Sequence, residues 1–344
     1  MEIKREMMVK QIADPSTLWD LIVVGGGATG LGVAVDAASR GFKTLLLEQS
    51  DFAKGTSSRS TKLVHGGVRY LAQGNIGLVI EALRERGILL HNAPHLVRNE
   101  NFIIPNYSWW SSIFYSVGLS IYDLLAGRRS FGRSRLISKA ELIRRIPNIR
   151  QEGLKSGVLY HDGQFDDARL AVSLALTAIE KGATLINYFR VTGLIKHLDQ
   201  VNGVRVTDIE TGLHYTCRAK SVINATGVFV DELLGMDAPE SRPLVQPSQG
   251  IHLVFDQSFL GPHDALMIPK TADGRVLFAI PWHDRMLVGT TDTPLDAHQM
   301  EPLARQDEIR FILEGAADYL TRIPTRKDVL SVFAGLRPLA APQD

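Results

Sequence analysis

The sequence predicts an α/β protein with a Rossmann-like parallel sheet and a second, mostly antiparallel α+β domain. Three observations support this fold class. A glycine turn separates an apolar strand from a helix near the start of the chain. An apolar strand ending in small residues follows about two hundred residues later, and strand-like segments dominate from Pro243 onward. A chain of 344 residues is long enough for two domains.

The glycine turn is the first of these features. An apolar strand at residues 21–24 leads into a G-x-G-x-x-G pattern, a helix continues to Ala38, and a second strand, Thr44–Leu47, ends on Glu48. The pattern's glycines are Gly25, Gly27 and Gly30. They allow a tight turn, approach of the backbone to a pyrophosphate, and close packing of helix and strand. The arrangement predicts a dinucleotide site but does not separate FAD from NAD.

The late apolar strand favours FAD. Residues 221–227 end in Asn224, Ala225, Thr226 and Gly227, and small side chains there let the backbone approach a cofactor. Between the two features, the sequence predicts a helix that begins at Asp166 and ends at Gly182. It also predicts a hairpin turn at Asn202-Gly203 and a turn at Thr211-Gly212. The later strands are predicted at 251–255, 265–268, 275–280, 286–289 and 329–335.

The composition excludes several classes of protein. The formal net charge is +1, so no overall field attracts nucleic acid, and no nucleic-acid-binding module is present. Cys217 is the single cysteine, so no internal disulfide can form, and no Cys/His spacing predicts a metal site. The first nineteen residues lack the apolar core of a secretory signal.

Residues 109–126 form an amphipathic segment with two interpretations. Its apolar side comprises Trp110, Ile113, Phe114, Val117, Ile121, Leu124 and Leu125, and the arginines Arg128, Arg129, Arg133 and Arg135 follow. One interpretation is a core helix with a basic exit loop. The other is a helix lying in a membrane interface. Because buried amphipathic helices are commoner, we favour the core helix.

A set of motifs resembles the FAD-dependent glycerol-3-phosphate dehydrogenases of the respiratory kind. They are Val24–Gly30 with Gly32, Ala34, Asp36 and Arg40-Gly41, then Thr56–Ser58, Ser60, Lys62, His65–Leu71, Ala93–Leu96, Asp166–Leu170, Asn224–Gly227, Gly250–His252, Ile280–Trp282, Val288–Asp292 and Gly335–Leu339. The resemblance implies a flavoprotein architecture like that of glutathione reductase and D-amino-acid oxidase. We expect a discontinuous FAD domain at 18–105 and 151–232, and a substrate domain at 106–150 and 233–344.

The resemblance also implies a reaction. Family members oxidise sn-glycerol 3-phosphate to dihydroxyacetone phosphate, with hydride transfer from C2 to N5 of FAD, and pass the electrons to the quinone pool or to oxygen. It implies a cytoplasmic protein with peripheral contact at the inner face of the cell membrane, and it is compatible with a homodimer. Two alternatives stay open: another FAD-dependent amino-acid or 2-hydroxyacid oxidoreductase, and a non-catalytic FAD-binding fragment.

The substrate site is expected around four residues. Arg337 is the first candidate to bind the phosphate or an oxyanion and Arg69 the second, because a guanidinium offers paired donors. Tyr70 either binds substrate or packs. His252 is the candidate base, since imidazole titrates near neutral pH, although Arg337 or a water could accept the proton instead.

The cofactor site is expected to draw on the glycine turn, a polar loop and the late strand. Glu48 should bind the adenosine ribose. Thr56, Ser57, Ser58 and Ser60 are candidate donors to pyrophosphate or ribityl oxygens. We assign His65, Gly66 and Gly67 to the flavin surroundings and Val191 to the adenine pocket. Ala225, Thr226 and Gly227 should pass close to the cofactor.

The resemblance implies further sequence beyond Asp344. Family members continue with a Gly-Gly-Lys segment, which contributes a lysine to the substrate phosphate, and with a C-terminal helical domain. Neither is present here, so we expect a chain that folds, holds FAD weakly and turns over slowly by itself.

Overall fold

The structure is a computed structural model that describes residues 4–127, 130–271 and 274–342, without the side chains of Arg69 and Ala72. The helices are α1 Arg5–Ala13, α2 Ala28–Ser39, α3 Val68–Ala72, α4 Ile76–Asn92, α5 Trp109–Ala126, α6 Lys139–Arg145, α7 Asp167–Glu180, α8 Val230–Asp237 and α9 Gln306–Ala317. The strands are β1 Leu18–Val24, β2 Thr44–Leu47, β3 Leu63–Val64, β4 Val97–Asn106, β5 Arg135–Ser138, β6 Ser156–Phe165, β7 Thr184–Ile186, β8 Phe189–His197, β9 Gln200–Asp208, β10 His214–Asn224, β11 Val245–Asp256, β12 Asp264–Ile268, β13 Leu277–Trp282, β14 Arg285–Gly289, β15 Thr293–Pro294 and β16 Ser331–Ala340.

The first sheet has the order β7-β2-β1-β10-β9-β8. Strands β7, β2, β1 and β10 are parallel, and β9 and β8 extend the sheet antiparallel. Val24 at the end of β1 is in register with Leu47 of β2 and Asn224 of β10. The three strands therefore end at one edge of the sheet, where ligands bind in open α/β folds.

Helices α2 and α7 pack together and share an apolar core that includes β1. Their contact uses small side chains such as Ala34, Ala171 and Ala175, which let the helices lie close to the sheet. The predicted helix is confirmed, and the Asp166 side chain caps it by accepting a hydrogen bond from the Arg169 N–H at 3.0 Å.

The hairpin prediction at Asn202-Gly203 is wrong. Both residues lie inside β9, and the turn falls at Leu198-Asp199, where φ is 48° and 62°. Positive φ at both central residues is the geometry of the tightest hairpin turns, although neither residue is a glycine. Pairing of the apolar positions across β8 and β9 outweighs the local preference of Asn-Gly. The turn at Thr211-Gly212 is confirmed, with Gly212 at φ 74°.

The second sheet is mixed and contains β15-β11-β14-β13-β12-β4-β6-β3 in that order, with β16 beside β11 and β5 beside β6. All five predicted late strands are present as β11–β14 and β16. Strands β3, β4 and β6 also belong to this sheet, although the expected FAD domain at 18–105 and 151–232 includes them. The domain division stays a prediction. The chain crosses between the two sheets three times, as that division implies, but the first crossing comes before β3 and the second after β6.

The expectation that α5 buries its apolar side in the core is wrong. The buried residues of this helix are Ser112, Leu119, Tyr122 and Ala126. The predicted apolar side faces outward, with Trp110 82% and Leu124 79% exposed. Ser112 is buried because its hydroxyl hydrogen-bonds that of Ser156 at 2.7 Å. Within the described residues, no helix is long and apolar enough to cross a membrane. Arg128 and Arg129 lie outside the described residues.

Candidate active site

A cleft of about 460 Å³ opens at the edge where β1, β2 and β10 end. Nine of the predicted cofactor-binding residues line it: Gly25, Gly27, Glu48, Thr56, Ser57, Val191, Ala225, Thr226 and Gly227. Val245 and Pro338 of the second sheet also contribute to its lining. The cleft therefore reaches from the glycine turn to the second sheet.

Two glycines of the turn are required by close backbone contacts. Gly25 has φ 111°, and a Cβ there would collide with the carbonyl oxygen of Ala225. Gly30 lies behind the cleft, where a Cβ would collide with the carbonyl oxygen of Gly25. The backbone of the glycine turn therefore lies closer to α2 and to the segment after β10 than any side chain would allow.

The N-terminus of α2 forms one wall of the cleft. Gly27 caps this helix, and the Ala28 N–H donates to Ser57 Oγ at 2.8 Å. A Cβ on Gly27 would lie 3.1 Å from the same oxygen. The first N–H groups and the helix dipole favour an anion here. This bare backbone cradle with an adjacent hydroxyl fits the pyrophosphate of a dinucleotide.

Glu48 is held in place at the end of β2. Its carboxylate accepts hydrogen bonds from the Gly26 N–H at 2.6 Å and the Ser50 N–H at 2.8 Å. Burial raises the pKa of Glu48, and the bond from Gly26 opposes that rise. Each oxygen has a second lone pair, so the anchored carboxylate can still accept hydrogen bonds from ribose hydroxyls.

The rest of the polar loop joins the two sheets. Thr56 Oγ1 donates to the carbonyl of Leu336 at 2.6 Å. Ser60 Oγ donates to Asp167 at 2.7 Å, and the Ser58 carbonyl accepts from Lys62 at 2.6 Å. Of the four predicted donors in this loop, Ser58 and Ser60 lie outside the cleft lining, as do the predicted residues His65, Gly66 and Gly67.

The second sheet brings the two predicted catalytic residues to one face. Ser248 of β11 is in register with Arg337 of β16, and His252 is in register with Phe333. Directly paired residues of antiparallel strands share a face, as do residues two apart along one strand. His252 and Arg337 therefore lie on the same side of the sheet.

His252 is buried and tightly enclosed. It is 2% exposed, its ring stacks on Phe333 with centroids 4.8 Å apart, and Nε2 lies 2.9 Å from Thr61 Oγ1. Burial and the positive charges of Arg337 and Lys62 lower the pKa of His252 to about 3. The imidazole is therefore neutral at physiological pH. Its Nδ1 has no hydrogen-bond partner among the described residues.

Arg337 is oriented by the segment that follows β14. Its Nη2 donates to Thr290 Oγ1 and to the Thr291 carbonyl, both at 2.9 Å, and Nη1 lies 3.3 Å from Asp292. Gly250 makes room for the guanidinium, since a Cβ there would lie 2.5 Å from Nη2. These contacts fix the direction of the guanidinium on its face of the second sheet.

The two remaining predicted substrate residues lie near the start of α3. The side chain of Arg69 is outside the described part of the chain. Tyr70 is 38% exposed, and its ring packs over Gly67. No hydrogen bond among the described residues joins Tyr70 to His252 or Arg337.

Sequence reasoning missed the residues that support this site. Thr61 contacts His252, and the ammonium of Lys62 forms a buried ion pair with Asp167 at 2.7 Å. Thr290 and Asp292 lie in a motif that contributed to the resemblance without an assigned role. Lys62 also belongs to the residues that carried the resemblance, again without an assigned role.

Fold and site together define a flavoprotein oxidoreductase. The model of the family described as FAD dependent oxidoreductase matches residues 20–344, and the chain belongs to this family. The expectations of FAD and of the fold class are thereby confirmed. The cleft fits FAD, because it combines a pyrophosphate cradle at the start of α2 with the Glu48 carboxylate at the end of β2.

Within this family, the chain is similar to glycerol-3-phosphate dehydrogenases. The chain is 43% identical over 352 residues to a mitochondrial glycerol-3-phosphate dehydrogenase of Schizosaccharomyces pombe, covering 97% of this chain and 54% of that protein. It is 43% identical over 336 residues to the mitochondrial enzyme of the same name from Rattus norvegicus, covering 93% and 46%. The structure of a glycerol-3-phosphate dehydrogenase from Bacillus halodurans complexed with FAD matches with TM-score 0.81 and 34% identity, covering 98% of this chain and 60% of that one. The resemblance seen in the motifs is confirmed, and the chain spans about half the length of the curated relatives it matches.

Proposed function

We propose that the chain carries out flavin-dependent oxidation of sn-glycerol 3-phosphate to dihydroxyacetone phosphate, with electrons passed to quinone. The observation that carries this proposal is the juxtaposition of Arg337 and His252 on one face of the second sheet, in a chain whose first sheet forms the dinucleotide cleft. The relatives' names supply the substrate. Bound FAD supplies a hydride acceptor at N5 of its ring.

Arg337 binds the substrate through its phosphate or its developing oxyanion. Its guanidinium is pre-oriented by Thr290, Thr291 and Asp292, so little rotamer freedom is lost on binding. Arg69 is the proposed second cation and Tyr70 an adjoining contact.

His252 is the proposed acceptor of the C2 hydroxyl proton, at Nδ1, the ring nitrogen without a described partner. Because Nδ1 is buried, the proton reaches it only through a water molecule or after the ring shifts. A pKa of about 3 makes it a weak base before substrate binds. A bound phosphate offsets the positive charge of Arg337, which is one cause of that low pKa, so binding makes proton acceptance more favourable. Thr61 holds the opposite nitrogen and fixes the ring.

The test is the visible spectrum of the flavin under anaerobic conditions, with and without glycerol 3-phosphate. Two proteins are compared: this chain, and this chain joined to the C-terminal half of the Schizosaccharomyces pombe relative. Bleaching by glycerol 3-phosphate, but not by proline or glycine, supports the function. Bleaching confined to the joined protein assigns this chain the role of an FAD-binding part of the site. Bleaching by an amino acid alone contradicts the proposal. A quinone analogue and oxygen are then compared as acceptors.

We also propose that α5 places the protein on a membrane surface. Its outward side carries the adjacent residues Trp109 and Trp110 at one end and Leu124 at the other, all exposed. Helix α4 packs against α5 and adds exposed Ile76 and Ile80. Arg133, in the segment after α5, is exposed. Tryptophans with an apolar stripe and nearby arginine are typical of helices that lie in a lipid interface.

Sedimentation with vesicles of phosphatidylcholine and phosphatidylglycerol tests this contact. The double variant Trp110→Ser/Leu124→Ser should lower vesicle binding by tenfold or more, since each fully buried large apolar side chain contributes about 1.5–3 kcal/mol. Leu198→Ser is the matched control, because Leu198 is 84% exposed on a different element. The proposal is contradicted if Leu198→Ser weakens vesicle binding as much as the double variant does, or if the double variant binds vesicles as well as the unsubstituted protein.

A further inference from the structure

A buried charged cluster lies behind the loop that joins β3 to α3. It consists of Asp162 in β6, Arg86 in α4 and Tyr122 in α5, each at most 2% exposed. Arg86 Nη1 donates to Asp162 Oδ1 at 2.7 Å, and the Tyr122 hydroxyl donates to Asp162 Oδ2 at 2.8 Å. Three separate elements therefore meet at one carboxylate.

The same carboxylate holds the loop. Asp162 Oδ1 accepts from the Gly66 N–H at 3.3 Å and from its own neighbour, the Gly163 N–H, at 3.0 Å. Strand β3 arrives at this point because Val64 is in register with Gly163. A Cβ on Gly66 would collide with the Tyr122 hydroxyl and with Leu83. A hydrogen bond on one side and close packing on the other therefore fix the position of the Gly66 backbone.

Gly66 lies two residues before the start of α3. Gly67 caps this helix with φ 75°, and Tyr70, one of the proposed substrate residues, packs over it. A change in the position of Gly66 is transmitted directly to α3, since only Gly67 separates the two.

Arg86 makes the cluster rigid. Its guanidinium stacks over the ring of Phe131 at 4.2 Å and lies 5.7 Å from the ring of Tyr122. The buried Asp162 carboxylate has this cation and three further donors, and an arrangement that lost the Arg86 contact would leave a buried charge without compensation. The cluster consequently favours one position of the loop.

We propose that Asp162 is a positioning residue that, together with Tyr122 and Arg86, sets the position of the His65–Tyr70 loop against the candidate active site. Its role in substrate binding rests on the proposed function, whereas its control of the loop does not. None of the three residues lines the cleft.

Hydrogen exchange of the full chain with FAD tests the control of the loop. Tyr122→Phe removes one hydroxyl and keeps the ring, so the fold is retained. The amide of Gly66 and those of α3 should exchange about tenfold faster. Tyr160→Phe is the matched control, because it removes another buried hydroxyl from the same core, one that contacts Met267 at 3.5 Å. Faster exchange of the loop in Tyr122→Phe alone supports the proposal. Unchanged loop exchange in Tyr122→Phe, or equal increases in both variants, overturns it.

Steady-state kinetics of the joined protein give the second readout. Tyr122→Phe should raise KM for glycerol 3-phosphate about fivefold and leave kcat within twofold, whereas Tyr160→Phe should change neither. If Tyr122→Phe speeds loop exchange but leaves KM and kcat at the values of the unsubstituted protein, the link to substrate binding is overturned. The control of the loop would still stand. The exchange measurement needs no turnover, so its result is independent of whether the proposed substrate is correct.

Discussion

Replacing Asp167 by asparagine should destabilise the protein more than almost any other isosteric change. Asp167 accepts hydrogen bonds from the Ser60 N–H and hydroxyl at 3.1 and 2.7 Å, from Lys62 at 2.7 Å and from the Ala168 N–H at 2.8 Å. The side chains of Lys62 and Asp167 are only 10% and 3% exposed. Asparagine keeps the shape but leaves the Lys62 ammonium without its counter-charge. Breaking a buried pair in this way costs about 3–5 kcal/mol.

Urea unfolding with tryptophan fluorescence measures this loss. With a slope of roughly 3 kcal/mol per molar urea, the midpoint should fall by roughly 1–1.7 M. The control is Asp36→Asn, which breaks an exposed pair with Arg40 and should cost at most about 0.5 kcal/mol. The double variant Lys62→Met/Asp167→Leu removes both charges and should be more stable than Asp167→Asn. A midpoint for Asp167→Asn within the range of the Asp36→Asn control would refute the reasoning.

Two further changes test the electrostatics. Burial, with a contribution from Asp264, raises the pKa of Glu100 to about 7, so the folded state holds its proton to higher pH than the unfolded state. The associated stability is complete below pH 4.5 and is lost as pH rises to about 7, a difference of roughly 3 kcal/mol. Unfolding of Glu100→Gln between pH 4 and pH 8 should lack that decline, whereas exposed Glu152→Gln should retain it. In the joined protein, Arg337→Lys should lower kcat/KM for glycerol 3-phosphate about a hundredfold, because two charge-assisted hydrogen bonds contribute about 3 kcal/mol, while FAD content stays constant. The exposed Arg326→Lys is its control, and equal kinetics for both would remove Arg337 from the site.

Local features of the chain were predictable and distant contacts were not. The glycine turn and the Asp166 cap depend on neighbouring residues, so their patterns carry the information. The contact of Thr61 with His252 joins positions 191 apart in the chain, and Lys62 reaches Asp167 across 105 positions. No periodicity encodes such pairs.

The orientation of α5 shows a second limit. The hydrophobic pattern identified its two sides correctly but not which of them faces the protein. The buried side contains Ser112, whose partner Ser156 lies on another element. Burial of a serine is acceptable only with such a partner, and the sequence alone does not reveal it.

The central claim is that the cleft at the ends of β1, β2 and β10 binds FAD. The most direct measurement is a titration of the cofactor-free chain with FAD, followed by flavin fluorescence, with a parallel NAD titration followed by calorimetry. We expect saturable one-to-one binding of FAD, none of NAD, and at least tenfold weaker FAD binding in Glu48→Ala. Binding of NAD without FAD, or FAD binding that is unaffected by Glu48→Ala, would contradict the account.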